Sequence, residues 1–155
     1  DEPTSGLDTL VRRRFLESMV DVAATGRTVL LSSHQIGEVE RVADHVAILH
    51  GGRLVVCDSL ENLKAQHERW IVTFASHENS LPEMAVTIVS HDGVGTKRNQ
   101  FLVHQPGPDT LWKLRDHAGV VDVEVHVPSL EEIFVAYIRQ VPASSTNQSR
   151  TRSEA

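Results

Sequence analysis

Two acidic side chains stand side by side at Asp1 and Glu2, and a histidine, His34, follows a short apolar run further along. Adjacent carboxylates can divide labour. One holds a divalent cation such as Mg²⁺, which prefers oxygen ligands and keeps part of its water shell. Its neighbour polarises an attacking water. That division suits phosphoryl transfer, where positioning and charge neutralisation matter more than covalent chemistry. A neutral imidazole has one donor and one acceptor, so His34 has the means to bridge a phosphate oxygen and a water. An Asp-Glu pair is also common in solvated loops, and taken alone it leaves both readings open.

The elements around these residues follow from periodicity. Leu7, Val11, Phe15, Met19 and Ala23 recur every four residues, with Leu16 and Val20 widening the stripe, which predicts a helix over 7–24. Gly26 stands where a left-handed C-terminal residue belongs. Thr28-Val29-Leu30-Leu31 reads as a short strand buried on both faces, as in a parallel sheet. Ile36, Val39 and Val42-Ala43 predict a second helix. His45 to Leu49, then Gly51-Gly52, then Arg53 to Cys57 reads as a hairpin. Asp58 and Glu61 have capping-box spacing for a short helix ending near Ala65.

The texture changes near Arg69. Strands are predicted over Trp70–Ala75, Met84–Val89 and Phe101–Val103, with a turn or loop at His91–Gly95. Leu111, Leu114 and Ala118 predict a short helix after Pro108. Val121, Val123, Val125 and Val127 alternate with polar residues as a half-buried strand. Ser129 and Glu132 form a capping box for a last helix with Ile133, Phe134, Tyr137 and Ile138 on its apolar face. This reads as a small α+β domain after an α/β piece. The division is 1–67, 68–140, and a polar tail over 141–155 that is expected to be disordered, because it has too little apolar surface to offset ordering entropy.

Read together, Asp1-Glu2-Pro3-Thr4-Ser5-Gly6-Leu7-Asp8 resembles the end of the Walker B strand plus the D-loop of ATP-binding-cassette (ABC) ATPases. Leu30-Leu31-Ser32-Ser33-His34 resembles their H-loop, and the stretch from Glu38 to Leu49 followed by Gly51-Gly52-Arg53-Leu54 is similar to what comes after it in bacterial transporters. Pro128 to Phe134 looks like the small C-terminal domain of drug- and antibiotic-export ATPases that pair with ABC-2 type permeases. The fold class implied is α/β: the C-terminal part of a P-loop NTPase core followed by a small α+β domain.

The resemblance implies roles by position. Asp1 would hold Mg²⁺ through water, and Glu2 would activate the attacking water. Ser5, Gly6, Leu7 and Asp8 would form the D-loop, which contacts nucleotide and a second ABC ATPase subunit, most simply in a homodimer. His34 would touch the γ-phosphate. The cofactors implied are ATP and Mg²⁺. The other partner implied is an ABC-2 type membrane permease, which would place the protein on the cytoplasmic face of the membrane. The function implied is ATP-driven export of a drug, antibiotic or lipid-like substrate. The alternatives are a soluble ABC protein outside transport and a regulatory module without catalysis.

The sequence has no Gly-x-x-x-x-Gly-Lys-Ser/Thr loop and no Leu-Ser-Gly-Gly-Gln-like signature. Starting on Asp1 rather than Met, it is expected to be the C-terminal part of a longer chain, inactive alone. With 15 Lys+Arg against 21 Asp+Glu, a net charge of −6 argues against a nucleic-acid binder. Arg12-Arg13-Arg14 reads as solvated helix surface, and Trp70, Trp112 and Tyr137 as core or interface groups. Nine scattered histidines and a single cysteine, Cys57, show no zinc-like spacing. No apolar run approaches the roughly 18 residues of a membrane span.

Overall fold

The computed structural model describes residues 2–77 and 81–140. Asp1 and the expected tail over 141–155 lie outside the described residues. The described chain is a mixed α/β arrangement with two antiparallel sheets.

Helix α1 runs Thr9–Ala24. Asp8 caps it, its Oδ1 accepting from the amides of Leu10 and Val11 at 2.9 and 3.0 Å. Gly26, at φ +84°, closes the C-terminus with its amide on Ala23 O, as the sequence predicts. The predicted apolar stripe is half covered: Leu7, Phe15 and Met19 are partly buried, whereas Val11, Val20 and Ala23 are exposed. Leu16 is the one buried residue of α1, while Leu10, Val11, Val20 and Val22 are exposed. Thr28–Leu31 forms no strand, and Leu30 is 97% exposed. A parallel strand exists only through its neighbours, and among the described residues none pairs with this segment.

Helix α2 spans Ile36–Val42. The predicted hairpin forms from β1, His45–His50, and β2, Arg53–Ser59. Gly51 and Gly52 take φ +56° and +75°, the two left-handed positions that a two-residue turn of this hand requires. Helix α3, Leu60–Ala65, is capped by Ser59 rather than Asp58, since Ser59 Oγ accepts from the Asn62 amide. Asp58 instead accepts from the Ser59 amide and the Asn62 side chain.

The four-stranded sheet has the order β4-β5-β3-β6, with β3 His67–Phe74, β4 Thr87–Asp92, β5 Arg98–His104 and β6 Val120–His126. Strand β4 starts three residues later than predicted and takes in His91 and Asp92, two residues of the predicted loop. Helix α4, Thr110–Arg115, stops short of Ala118, and α5 spans Leu130–Gln140. On one face of the sheet Trp70, Val72, Phe74, Phe101, Val103 and Val123 pack with Leu114 of α4. Trp112, on the same short helix, is 56% exposed and so is no core residue. Of the alternating valines of the last strand only Val123 is buried; a register shift between Thr73 and Phe74 sets Val120 rather than Val121 opposite Phe74, and Val127 lies beyond β6.

The second core joins parts far apart in sequence. Leu130, Ile133 and Ala136 of α5 meet Val89 and Leu102 of the sheet, Val46 and Ile48 of the hairpin, and Leu63 of α3. Ile36 and Val39 of α2 pack on the same cluster. The α5 capping box forms reciprocally: the Ser129 amide donates to Glu132 Oε2 at 2.9 Å, and the Glu132 amide to Ser129 Oγ at 3.2 Å.

Candidate active site

Residues 2–8 fold as two successive turns, the Ser5 amide bonding to Glu2 O and the Leu7 amide to Thr4 O. The Glu2 amide donates to Ser32 O at 3.0 Å, so this loop lies against the segment that leads to His34. Glu2 itself has φ +47°. A non-glycine residue held in the left-handed region costs on the order of 1 kcal/mol or more, and surrounding contacts must maintain it.

Those contacts come from His34. Its amide donates to Glu2 Oε1 at 2.8 Å, and its Nδ1 lies 2.7 Å from Glu2 Oε2. The His34 hydrogen bond holds the Glu2 carboxyl below the ordinary carboxylate range, against a smaller opposing effect of burial. An ionised carboxylate can only accept, so Nδ1 of His34 carries a proton, and Nε2 is the nitrogen left to act elsewhere. The His34 side chain is 71% exposed, so it remains open to a ligand.

The sequence-derived site residues separate into three groups. Glu2 and His34 are brought into direct contact. Ser5 and Gly6 lie exposed at the loop tip, with Leu7 half-buried beside them and Asp8 occupied as the α1 cap. Asp1 is outside the described residues. Glu2 Oε1 accepts from the His34 amide and Oε2 lies against His34 Nδ1, and each oxygen keeps a second lone pair for another partner. Among the described residues no group of three or more His, Cys, Asp or Glu could hold a metal ion. An open cleft of about 360 Å³ adjoins His34, with Gln35, Glu38, Arg41 and Glu131 on its walls.

Sequence reasoning missed the groups behind this pair. Arg12, read as solvated surface, is instead turned inward. Its Nη1 donates to Gln35 Oε1 at 2.7 Å, its Nη2 to Leu7 O at 3.1 Å, and its Nε lies 3.2 Å from Glu38 Oε1. A planar guanidinium with five donors can serve three acceptors at once. Thr4, 1% exposed, donates its hydroxyl to Glu38 Oε2 at 3.0 Å. Arg12 lies one helical turn beyond the Asp8 cap, but neighbouring Arg13 and Arg14 disguised it as part of a charged surface.

No protein-family model matches the chain. Similar proteins are nonetheless numerous. An uncharacterized ABC transporter ATP-binding protein of Nostoc is 31% identical over 149 residues, covering 93% of this chain and 43% of that protein. The fluoroquinolones export ATP-binding protein of Mycobacterium tuberculosis is 41% identical over 137 residues, covering 87% of this chain and 41% of that protein. The daunorubicin resistance ATP-binding protein DrrA3 of Streptomyces coeruleorubidus is 27% identical over 143 residues, covering 87% and 45%. The chain spans less than half the length of these curated relatives. It matches them over nearly all of its own residues, and it belongs to the ABC transporter ATP-binding proteins.

Proposed function

We propose that this chain is part of the ATP-hydrolysing subunit of an ABC exporter. The observation that carries the reading is the Glu2–His34 contact, an ionised carboxylate and an imidazole held together from distant parts of the chain. In this reading Glu2 is the general base that orients and polarises water. Its lowered pKa keeps it ionised at neutral pH, ready to accept a hydrogen bond. His34, fixed through Nδ1, turns its free Nε2 to the γ-phosphate side. Asp1 holds Mg²⁺ through water, and the metal's chemistry is to neutralise charge on the transferring phosphoryl group. Ser5, Gly6, Leu7 and Asp8 form the D-loop toward nucleotide and a second subunit, most simply a copy of the same protein.

Residues 1–67 are the C-terminal part of a P-loop NTPase core, and 68–140 a small α+β accessory domain. No described helix is long and apolar enough to cross a membrane. On the likeness of Pro128 to Phe134 to the drug-export ATPases, transport is assigned to a separate permease, of ABC-2 type, with this subunit at the cytoplasmic face. The names of the Mycobacterium and Streptomyces relatives favour a drug or antibiotic as the exported substrate.

The chain contains no P-loop and no signature segment, so alone it neither holds ATP tightly nor turns it over. The test uses a longer chain that carries both segments upstream. There, Glu2→Gln abolishes turnover while ATP stays bound. Normal turnover in that variant removes Glu2 from its role. Stoichiometric hydrolysis by the 155-residue chain, lost in Glu2→Gln, overturns the claim that it is inactive alone.

A further inference from the structure

Three ties join the loop of residues 2–8 to the segment of residues 32–38, apart from the backbone bond between Glu2 and Ser32. The first is Glu2 with His34. The second is Thr4 with Glu38. The third runs through a single side chain, Arg12, which reaches Leu7 O on one side and Gln35 and Glu38 on the other. Only the first includes the reacting groups. The other two bracket it: Thr4 is two residues from Glu2, and Gln35 is the residue after His34.

We propose that Arg12 is a positioning residue for the Glu2–His34 pair, acting through Glu38, Gln35 and the Leu7 carbonyl. This rests on the reading of Glu2 and His34 as the reacting pair. The contact between them is itself exposed, and an exposed charged pair has little strength of its own to hold a geometry. The bracket is better protected. The side chains of Arg12 and Glu38 are 26% and 14% exposed, and Thr4 is buried. A charge-assisted network in that setting is stronger than its exposed counterpart.

The shape of the guanidinium matters. Lysine keeps the charge, but its ammonium is a single point on a flexible stem and cannot replace the two separated hydrogen bonds to Leu7 O and Gln35 together with the ion pair to Glu38. Arg12→Lys therefore releases at least one side of the bracket without removing charge. Glu38→Gln is a milder second variant. It keeps an acceptor for Thr4 and loses the charge that faces Arg12. Thr4→Ser keeps the hydroxyl, whereas Thr4→Val removes it at nearly constant shape.

The experiment is NMR on the 155-residue chain without nucleotide, so it reads geometry and not turnover. Two signals report the pair: hydrogen exchange of the His34 amide, and the ¹⁵N shifts of its ring, which show which nitrogen carries the proton. In the wild type the amide is protected and Nδ1 is protonated. In Arg12→Lys, Glu38→Gln and Thr4→Val, His34 amide exchange rises about fivefold, the factor that follows from losing one net hydrogen bond. The ring then shifts toward the Nε2-protonated form. Thr4→Ser stays like the wild type, and amide protection at Trp70, Val72 and Val103 is unchanged throughout. If His34 exchange and tautomer stay as in the wild type in Glu38→Gln and Thr4→Val, the proposal is wrong, whether or not Arg12→Lys folds. A uniform rise at Trp70 and Val103 also overturns it, since Arg12 would then support the fold and not the pair. Failure of the hydrolytic reading appears instead as unimpaired turnover in Glu2→Gln of the longer chain, with these NMR signals unaffected.

Discussion

The Tyr137 hydroxyl lies 3.0 Å from Nε2 of the buried His67, tying the last helix to the first residue of β3. Nδ1 of His67 is 2.6 Å from Leu63 O, which can only accept, so Nδ1 carries the proton and Nε2 of the neutral ring accepts from Tyr137. Burial lowers the His67 pKa, with a nearby His104 adding to the effect against the bond to Leu63 O. Burial also raises that of Tyr137.

The pH dependence follows. The unfolded state takes up a proton near pH 6.5, and the folded state only at lower pH. Stability is therefore full above about pH 6.5 and falls as pH drops below it. Urea midpoints measured from pH 8 to pH 5 should decline in the wild type and flatten in His67→Phe over that window. An unchanged slope in the variant would place the titration elsewhere.

The capping box gives a second expectation. Burial would raise the Glu132 carboxyl, but bonds from the Ser129 amide and hydroxyl and from Arg69 outweigh it and hold the pKa below the ordinary value. Ser129→Ala removes the acceptor for the Glu132 amide and should cost about 1 kcal/mol in denaturant unfolding. A cost below the error of the measurement would mean that α5 does not depend on its cap.

Ile133 is fully buried where hairpin, sheet and last helix meet. Ile133→Ala should cost about 2–5 kcal/mol. Circular dichroism and Trp70 fluorescence should move together to the lower midpoint. Separated transitions would show that the two cores melt independently.

Leu30 offers the opposite case. At 97% exposure, Leu30→Ser should change the stability of this chain by no more than about 0.5 kcal/mol. A loss above 2 kcal/mol would mean that the segment is packed in solution.

Local chemistry made most of the fold legible. Gly26, the Gly51-Gly52 turn and the Ser129–Glu132 box act through neighbours within a few residues, and each sits beside the element it shapes. Thr28–Leu31 and Arg12 are of another kind. Thr28–Leu31 has the composition of a buried strand, but a strand is a property of a pair, and no described partner lies beside it. Arg12 has the composition of surface, but its acceptors, Gln35 and Glu38, are 23 and 26 positions away, and only the three-dimensional path of the chain brings them near. The Glu2–His34 contact spans 32 positions, and only the resemblance of the two motifs, not their spacing, points to it.

The hairpin β1–β2 rests its buried face on α5, and two-stranded sheets are marginal without such cover. During synthesis the hairpin is complete at Ser59, while α5 begins only at Leu130. At about 5–20 residues per second the ribosome leaves the hairpin uncovered for several seconds. For that interval Val46 and Ile48 lack the cover of Leu130, Ile133 and Ala136, and only α2 and α3 are at hand to shield them.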